Sequence, residues 1–595
     1  MSDSIFPSLT PHAMLVAWGQ YAHCLGLIAE LEAMPLHQKT VRHRPQTKVM
    51  EFLVAILGGL AHLKDISRAA HPLDQDREVA RSWGQPAWAD YGGVSRTLSG
   101  LTMKEAQQIA HALDRISQPL IDREVVLAWR DRGKMVLDCD LTGRPVSNTS
   151  TTYPDAAFGY MSDGVHLGYQ AAMVSMHSPT YGRLWLSVTP HPGDVIACRL
   201  AEELVRQAEA TVQRRPRRRT ELLRRRLQRL RGRRHGLVQQ VRRAYHARQG
   251  AQERLTEVQN QAQHWQEQVA TLEARYAAQG RREKAYSQLA QARQKLRVRQ
   301  DRLGRRENEL ARAERRLDRY LSRLATCRGE MDGVQRRLER FEQENRSNPT
   351  PLPMVLRLDA GFGTPENITL LIEMGYEVYT KPYGRWNLVH TLKEQVQEET
   401  EWTRVGKNAE MVAWPACPVE GVPYPVDLAL ERFYTGQTCR YSVLIHFGAE
   451  PVVERLPAWF GTYNGHQSVE AGIKEGKQVF QMHHLKVRAR AALYLQERFA
   501  TFAANFVRWA AHWLATQCPQ RPEGWQGPGA LPVKEQVQVA AHTSAWVIWN
   551  EQGCLLMFTE HSIFAGRSFQ VKREWVYQPV LPFAKSCVFS TIRAP

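Results

Sequence analysis

The sequence predicts an α/β protein: a helical N-terminal region, then an α/β core interrupted by a long coiled coil and by a β-rich insert. Three observations point there. Apolar strand-like runs ending in acids stand on either side of residues 201–346 and alternate with helical patterns. Within 201–346, leucines recur at every seventh position. And 595 residues exceed what one core usually supports, so two to four domains are expected.

Residues 1–130 read as helical, with helix-like apolar spacing over 12–34, 47–62 and 102–130. Residues 74–84 and 93–102 suit two short helices around a turn. Residues 131–200 open the core. Lys134-Met-Val-Leu-Asp138-Cys-Asp140-Leu-Thr142, then 166–176 and 183–189, read as three strands, with Asp194 as cap of the helix that follows. Asp138 and Asp140 alternate onto one face of their strand. An acid inside an apolar strand is costly unless it binds metal or is paired. Asp138 follows the apolar run directly, and either acid suits one site.

Residues 201–346 hold 38 Lys and Arg against 19 Asp and Glu, the whole formal excess of +19. Leu289, Leu296, Leu303, Leu310, Leu317, Leu324, Met331 and Leu338 mark heptads, and Gly280 lies near the midpoint. The simplest geometry is an antiparallel hairpin with arms of roughly 60 residues, about 90 Å each. Its root, from Arg214 to Arg234, carries twelve Arg and the single acid Glu221. Along the outer arm such charge is a solvated face. At the root, the imbalance among Arg217, Arg218, Arg219, Arg224, Arg225 and Arg226 favours nucleic-acid phosphate.

The core resumes over 347–384: Met354-Val-Leu-Arg-Leu-Asp359 is a strand ending in an acid and a glycine turn. Thr364 is placed to cap a helix with Pro365 at its first position. Residues 385–460 change to short alternating runs, the β-rich insert, with Trp386, Trp402, Trp414 and Trp459 more often core than base-stacking. Residues 461–518 contain Tyr463-Asn-Gly-His466-Gln-Ser-Val-Glu470-Ala-Gly-Ile-Lys-Glu-Gly-Lys477. The offsets of 0, 3, 7 and 14 return Tyr463, His466, Glu470 and Lys477 to one face of a single helix. A long helix over 487–516 follows, and 519–595 reads as a small β-containing region without assigned function.

The spacing Tyr463, His466, Glu470, Lys477 resembles the Y-x2-R-x3-E-x6-K signature of a group of bacterial insertion-sequence DDE transposases, with His466 standing where that group has Arg. Asp140-Leu-Thr142 resembles the D-x-T of the family's first acid, and Asp359-Ala-Gly-Phe its second-acid phrase. The resemblance implies a ribonuclease-H-like core, an N-terminal domain that binds DNA ends and the β-rich insert between second and third acids. It ranks Asp140 ahead of Asp138 by a small margin. It assigns Asp140, Asp359 and Glu470 as catalytic acids and ligands of Mg2+, or Mn2+, and Tyr463, His466 and Lys477 as phosphate-gripping groups. The implied activity is cleavage and joining of double-stranded DNA at element ends and target, by a homodimer on paired ends. Two other readings remain: a retired transposase kept as a DNA-binding scaffold, and a structure-specific nuclease on the same core.

The opening MSDSIFPSLTPHAML has no basic stretch leading into an apolar one, so no signal peptide is expected. The longest apolar stretches are too short and interrupted to span a bilayer, so no membrane partner is expected. Nine cysteines with no C-x-x-C pair fit reduced thiols in a cytoplasm rather than a zinc module.

Overall fold

A computed structural model describes residues 7–38, 42–161, 164–384, 386–436, 438–482, 484, 487–517, 531–558, 562–564 and 568–572. The chain divides into two compact units, residues 1–217 with 350–595, and Arg218–Pro349.

The first unit opens with β1 (Ser8–Thr10), α1 (Ala13–Cys24), α2 (Leu27–Glu32), α3 (Pro45–Leu57), α4 (Asp65–Arg68), α5 (Arg77–Ser82), α6 (Tyr91–Ser99) and α7 (Met103–Arg132). Side chains cap three of these helices locally: Asp76 caps α5, Asp90 caps α6, and Thr102 with Glu105 makes a capping box on α7. The strands β2 (Met135–Pro145), β3 (Ala157–Met161), β4 (Gly164–Ser178) and β5 (Gly182–Pro192) follow, and then α8 (Ala201–Val212). Asp194 does not cap that helix, which starts after Leu200 without a side-chain cap.

The second unit is a helical hairpin. Its arms are α9 (Thr220–Ala278) and α10 (Gln288–Arg346), 59 residues each. Cross-arm pairs Arg224–Glu342, Arg233–Glu330, Arg248–Glu314 and Arg293–Glu273 run in antiparallel register. Leu223, Leu230, Leu324, Leu338 and Phe341 are buried between the arms, and Gly280 turns the chain with φ +61°. The hairpin starts later than residue 201, because 201–212 form α8 of the first unit.

Back in the first unit come β6 (Met354–Leu358), α11 (Pro365–Glu373), β7 (Glu377–Thr380), α12 (Trp386–Glu394), β8 (Thr403–Arg404), β9 (Ala409–Val419), β10 (Val422–Thr435) and β11 (Thr438–Phe447). Thr364 caps α11 with Pro365 at its first position. Then follow α13 (Leu456–Asn464), α14 (Gln467–Gln478), α15 (Arg490–Gln517), α16 (Val533–Gln538), β12 (Ala545–Asn550), β13 (Gly553–Phe558) and β14 (Ser568–Lys572).

One mixed sheet has the order β3-β4-β2-β6-β7-β11-β10-β9-β8, with β5 also on β4. The pairs β2–β6 and β6–β7 are parallel; the others are antiparallel. The β-rich insert is therefore no separate body, since β11 pairs with β7 and continues the sheet. Nor do residues 1–130 stand alone. Phe52 meets Phe499 at 5.8 Å and Tyr21 meets Phe506 at 5.3 Å, so the N-terminal helices share a core with α15. β1 also pairs with β12 in a four-stranded sheet, β1-β12-β13-β14. Among the described residues no helix is long and apolar enough to cross a membrane.

Candidate active site

Two adjacent parallel strands build the site. β2 and β6 are in register from Met135↔Met354 to Cys139↔Leu358. One step further along that register, Asp140 comes level with Asp359. Both strands owe their place to apolar residues buried on both faces, as inner parallel strands require.

The same register sets Asp138 opposite Arg357, and the two make a buried bidentate pair. Arg357 Nε donates to Asp138 Oδ1 at 2.7 Å and Nη2 to Oδ2 at 2.6 Å. His466 Nδ1 lies 3.1 Å from Asp138 Oδ1. Burial alone would raise the Asp138 carboxyl, but the hydrogen bonds from His466 and Arg357 outweigh it and hold it below its ordinary value. Asp138 is thus fully occupied by Arg357 and His466.

Arg357 also reshapes the signature segment. Its Nη1 donates to the Thr462 carbonyl at 3.0 Å, which is the acceptor an unbroken helix would give to the His466 N–H. That N–H turns instead to Tyr463 O at 2.9 Å. The expected single helix is consequently two, α13 and α14, joined by a tightened turn at Gly465–His466. A Cβ at position 465 would collide with Arg357 Nη1, so only glycine admits the guanidinium there. The four signature side chains therefore do not line one exposed strip. His466 is turned inward, 4% exposed, with Nε2 buried and without a hydrogen-bond partner among the described residues.

Asp140 behaves differently from Asp138. Its carboxyl is pushed up to about 7, chiefly by burial, with the charges of Asp359 and Glu470 adding and that of His466 opposing. Asp359 is raised as well, first by burial and also by Glu470, although it accepts the Gly361 N–H at 3.0 Å. Glu470 is exposed on α14, and with Asp140 and Lys477 it lines an open cleft of about 310 Å³. Burial lowers the Lys477 amine, and neighbouring Arg144 lowers it further, while Asp140 draws it back up. Tyr463 lies close enough to Asp359, Glu431, Glu470 and Asp140 that their charges add to burial in raising its phenol. Lys381 stands 5.2 Å over its ring.

The chain matches no family model and no curated protein sequence.

Asp140 and Asp359 are buried carboxylates whose proton affinity neighbouring acids raise, and oxygen donors of this kind suit Mg2+ or Mn2+. Among the described residues, no group of three His, Cys, Asp or Glu side chains is arranged to hold a metal ion. The acids thus fit a divalent cation by donor type and charge rather than by finished geometry.

The arginine cluster divides. Arg218 is buried: its Nε donates to Glu344 Oε2 at 2.6 Å and its guanidinium lies over Phe341. It is a structural staple, not a phosphate contact. Arg224 is exposed but pairs with Glu342 at 2.6 Å. Arg217 and Arg225 are exposed, and Arg219 and Arg226 are half-buried. Of the tryptophans, Trp459 is core, and the Arg432 guanidinium covers the ring of Trp402 at 3.9 Å. Trp414 is half-buried, and the Trp386 side chain lies outside the described residues.

Arg357 and Gly465 were not singled out from the sequence. The available signal was a lone Arg inside Met354-Val-Leu-Arg-Leu, the counterpart of the lone Asp inside Met135-Val-Leu-Asp138. Two opposite charges in two apolar strands imply a pair once the strands are known to adjoin.

Proposed function

We propose that this chain is a DDE-type DNA transposase, a divalent-metal-dependent enzyme that cleaves phosphodiester bonds at element ends and joins them to target DNA. The observation that carries the reading is the β2–β6 register, which sets Asp140 level with Asp359 while Glu470 lines the same cleft as Asp140. The strand order β5-β4-β2-β6-β7, three antiparallel strands and then two parallel ones with α8 and α11 in the crossovers, supports a ribonuclease-H-like core.

In this reading Asp140, Asp359 and Glu470 hold the metal, which supplies activation of the attacking oxygen and stabilisation of the departing one at phosphorus. Lys477, on the cleft wall, attracts the phosphate. Asp138 does not bind metal: paired with Arg357 and His466, it anchors α14 against the sheet. His466 does not take over arginine's grip on phosphate, because its Nδ1 is committed to Asp138 and its ring is buried.

The test is cleavage and joining of a plasmid carrying the DNA that flanks the gene, with Mg2+ or Mn2+. Asp140→Asn, Asp359→Asn and Glu470→Gln should each lower cleavage by orders of magnitude while end binding survives. Wild-type rates in Asp359→Asn would overturn the assignment. Cleavage without joining would leave a structure-specific nuclease instead.

A further inference from the structure

The acid-bearing face of the sheet continues well past the cleft. Asp140, Thr142 and Arg144 alternate onto one face of β2, and their partners across β4 are Met173, Ala171 and Tyr169. β4 keeps an unbroken register out to Gly164, so Leu167 and Val165 extend that face, opposite Phe158 and Tyr160 of β3. From the acids as far as Leu167 the face is covered: Met173 and Ala171 are 0% exposed, Tyr169 8% and Leu167 9%. On the hairpin it opens, with Phe158 56%, Val165 63% and Tyr160 73% exposed. The hairpin's other face is held, since a Cβ at Gly159 would collide with the Gly193 carbonyl. The aromatic side is therefore turned outward on a docked ribbon.

Basic side chains stand at the cleft and against the loop that leads into β3. Lys474 and Lys477 line the cleft with Asp140 and Glu470. Farther along, the loop before β3 meets a second basic group: Arg488 lies 5.7 Å over the Tyr153 ring and Arg490 pairs with Asp155 at 3.2 Å. From Asp140 to the hairpin's aromatic pair is about 25 Å along the strands, at roughly 3.3 Å per residue.

We propose that Phe158 and Tyr160, with Val165, form a base-stacking platform for an unpaired nucleic-acid strand whose backbone passes the acid cleft. The proposal rests on the DNA-cleaving reading above and extends it to how the strand is held. Every base presents a π-face to an exposed ring, so such a platform binds without sequence preference, while the lysines of the cleft attract the backbone. An apolar patch serving a second copy of this chain would gain nothing from Arg488 and the cleft lysines; a polyanion does.

The probe is a short single-stranded oligonucleotide containing 2-aminopurine, compared with its duplex, both in EDTA so that no cleavage intervenes. Wild type should bind the single strand with quenching of the fluorophore. Phe158→Leu/Tyr160→Leu keeps apolar bulk but removes both rings. It should weaken single-strand affinity by about tenfold or more per ring and abolish the quench, with an unchanged melting temperature. Single-strand affinity and quench equal to wild type would overturn the platform. So would loss of a dimer with nucleic-acid binding intact, which would assign the patch to self-association. Asp140→Asn separates the two ideas: it should retain the quench while losing cleavage. A wild-type protein that quenches but never cleaves defeats the transposase reading alone.

Discussion

Asp138 and Asp140 stand two positions apart on one face of β2, yet their surroundings drive them in opposite directions. Arg357 and His466 hold Asp138 ionised, whereas burial and two neighbouring acids push the Asp140 carboxyl up to about 7. Asp138→Asn should leave Arg357 buried without its counter-charge and cost about 3–5 kcal/mol, read by urea unfolding. Asp140→Asn should do the reverse. The folded pKa of Asp140 lies above its unfolded value, so the native state binds the proton more tightly. That contribution is complete below about pH 4 and is lost as pH rises through about 7. At pH 8 without divalent metal, Asp140→Asn should be more stable than wild type by roughly 2–4 kcal/mol, and at pH 4 the gap should close. Equal stabilities at both pH values would refute the raised proton affinity.

At the scale of elements, the break between α13 and α14 is the consequence of one guanidinium taking one carbonyl. Gly465→Ala should displace Arg357, because the new Cβ meets Nη1, and α14 carries Glu470. Cleavage and stability should therefore fall together, and an Ala variant with both intact would disprove the close approach. A second junction, where β1 leads into α1 beside the C-terminal segment, is set by histidines. His12 lies 5.2 Å from the His542 ring, with Nε2 3.1 Å from His71 O. Burial, and then the neighbouring His542, lower its pKa to about 4. For a base with a depressed folded pKa, the unfolded chain binds more protons, so stability is present above about pH 6.5 and lost as pH falls towards 4. The loss should reach about 3 kcal/mol. His12→Phe should flatten that part of the pH–stability profile, and an unchanged profile would exclude His12 as its source.

For the molecule as a whole, the coiled coil is the largest departure from a plain core, and its charge is only partly available to a ligand. Cross-arm pairs and the buried Arg218 use some of the arginines internally. Replacing Arg217, Arg219, Arg224, Arg225 and Arg226 by Gln should flatten the salt dependence of DNA binding by up to about 0.9 for each phosphate that is no longer neutralised. Arg218→Gln should instead lower the unfolding temperature without changing that slope. An unchanged slope in the five-residue variant would leave the root as a solvated coiled-coil face.

The heptads, the antiparallel hairpin about Gly280, the Thr364–Pro365 helix start and the acid-bearing strands were all legible in the sequence. Each depends on local periodicity or on capping chemistry within a few residues. Other features came only from the tertiary structure, because they depend on which distant segments adjoin. Nothing local says that β11 would extend the sheet from β7, that β1 would complete the C-terminal sheet, or that the N-terminal helices would share a core with α15. The same holds at the site. Helical spacing over 463–477 put Tyr463, His466, Glu470 and Lys477 on one face of one helix, but it could not anticipate Arg357 arriving from a strand more than a hundred residues earlier. One hydrogen bond to Thr462 O then overrode local helix geometry, turned His466 inward, and left Asp138 paired with Arg357 and His466 while Asp140 stayed level with Asp359. Period is written in sequence neighbours; register between strands, and the charges it brings face to face, are decided by the folded sheet.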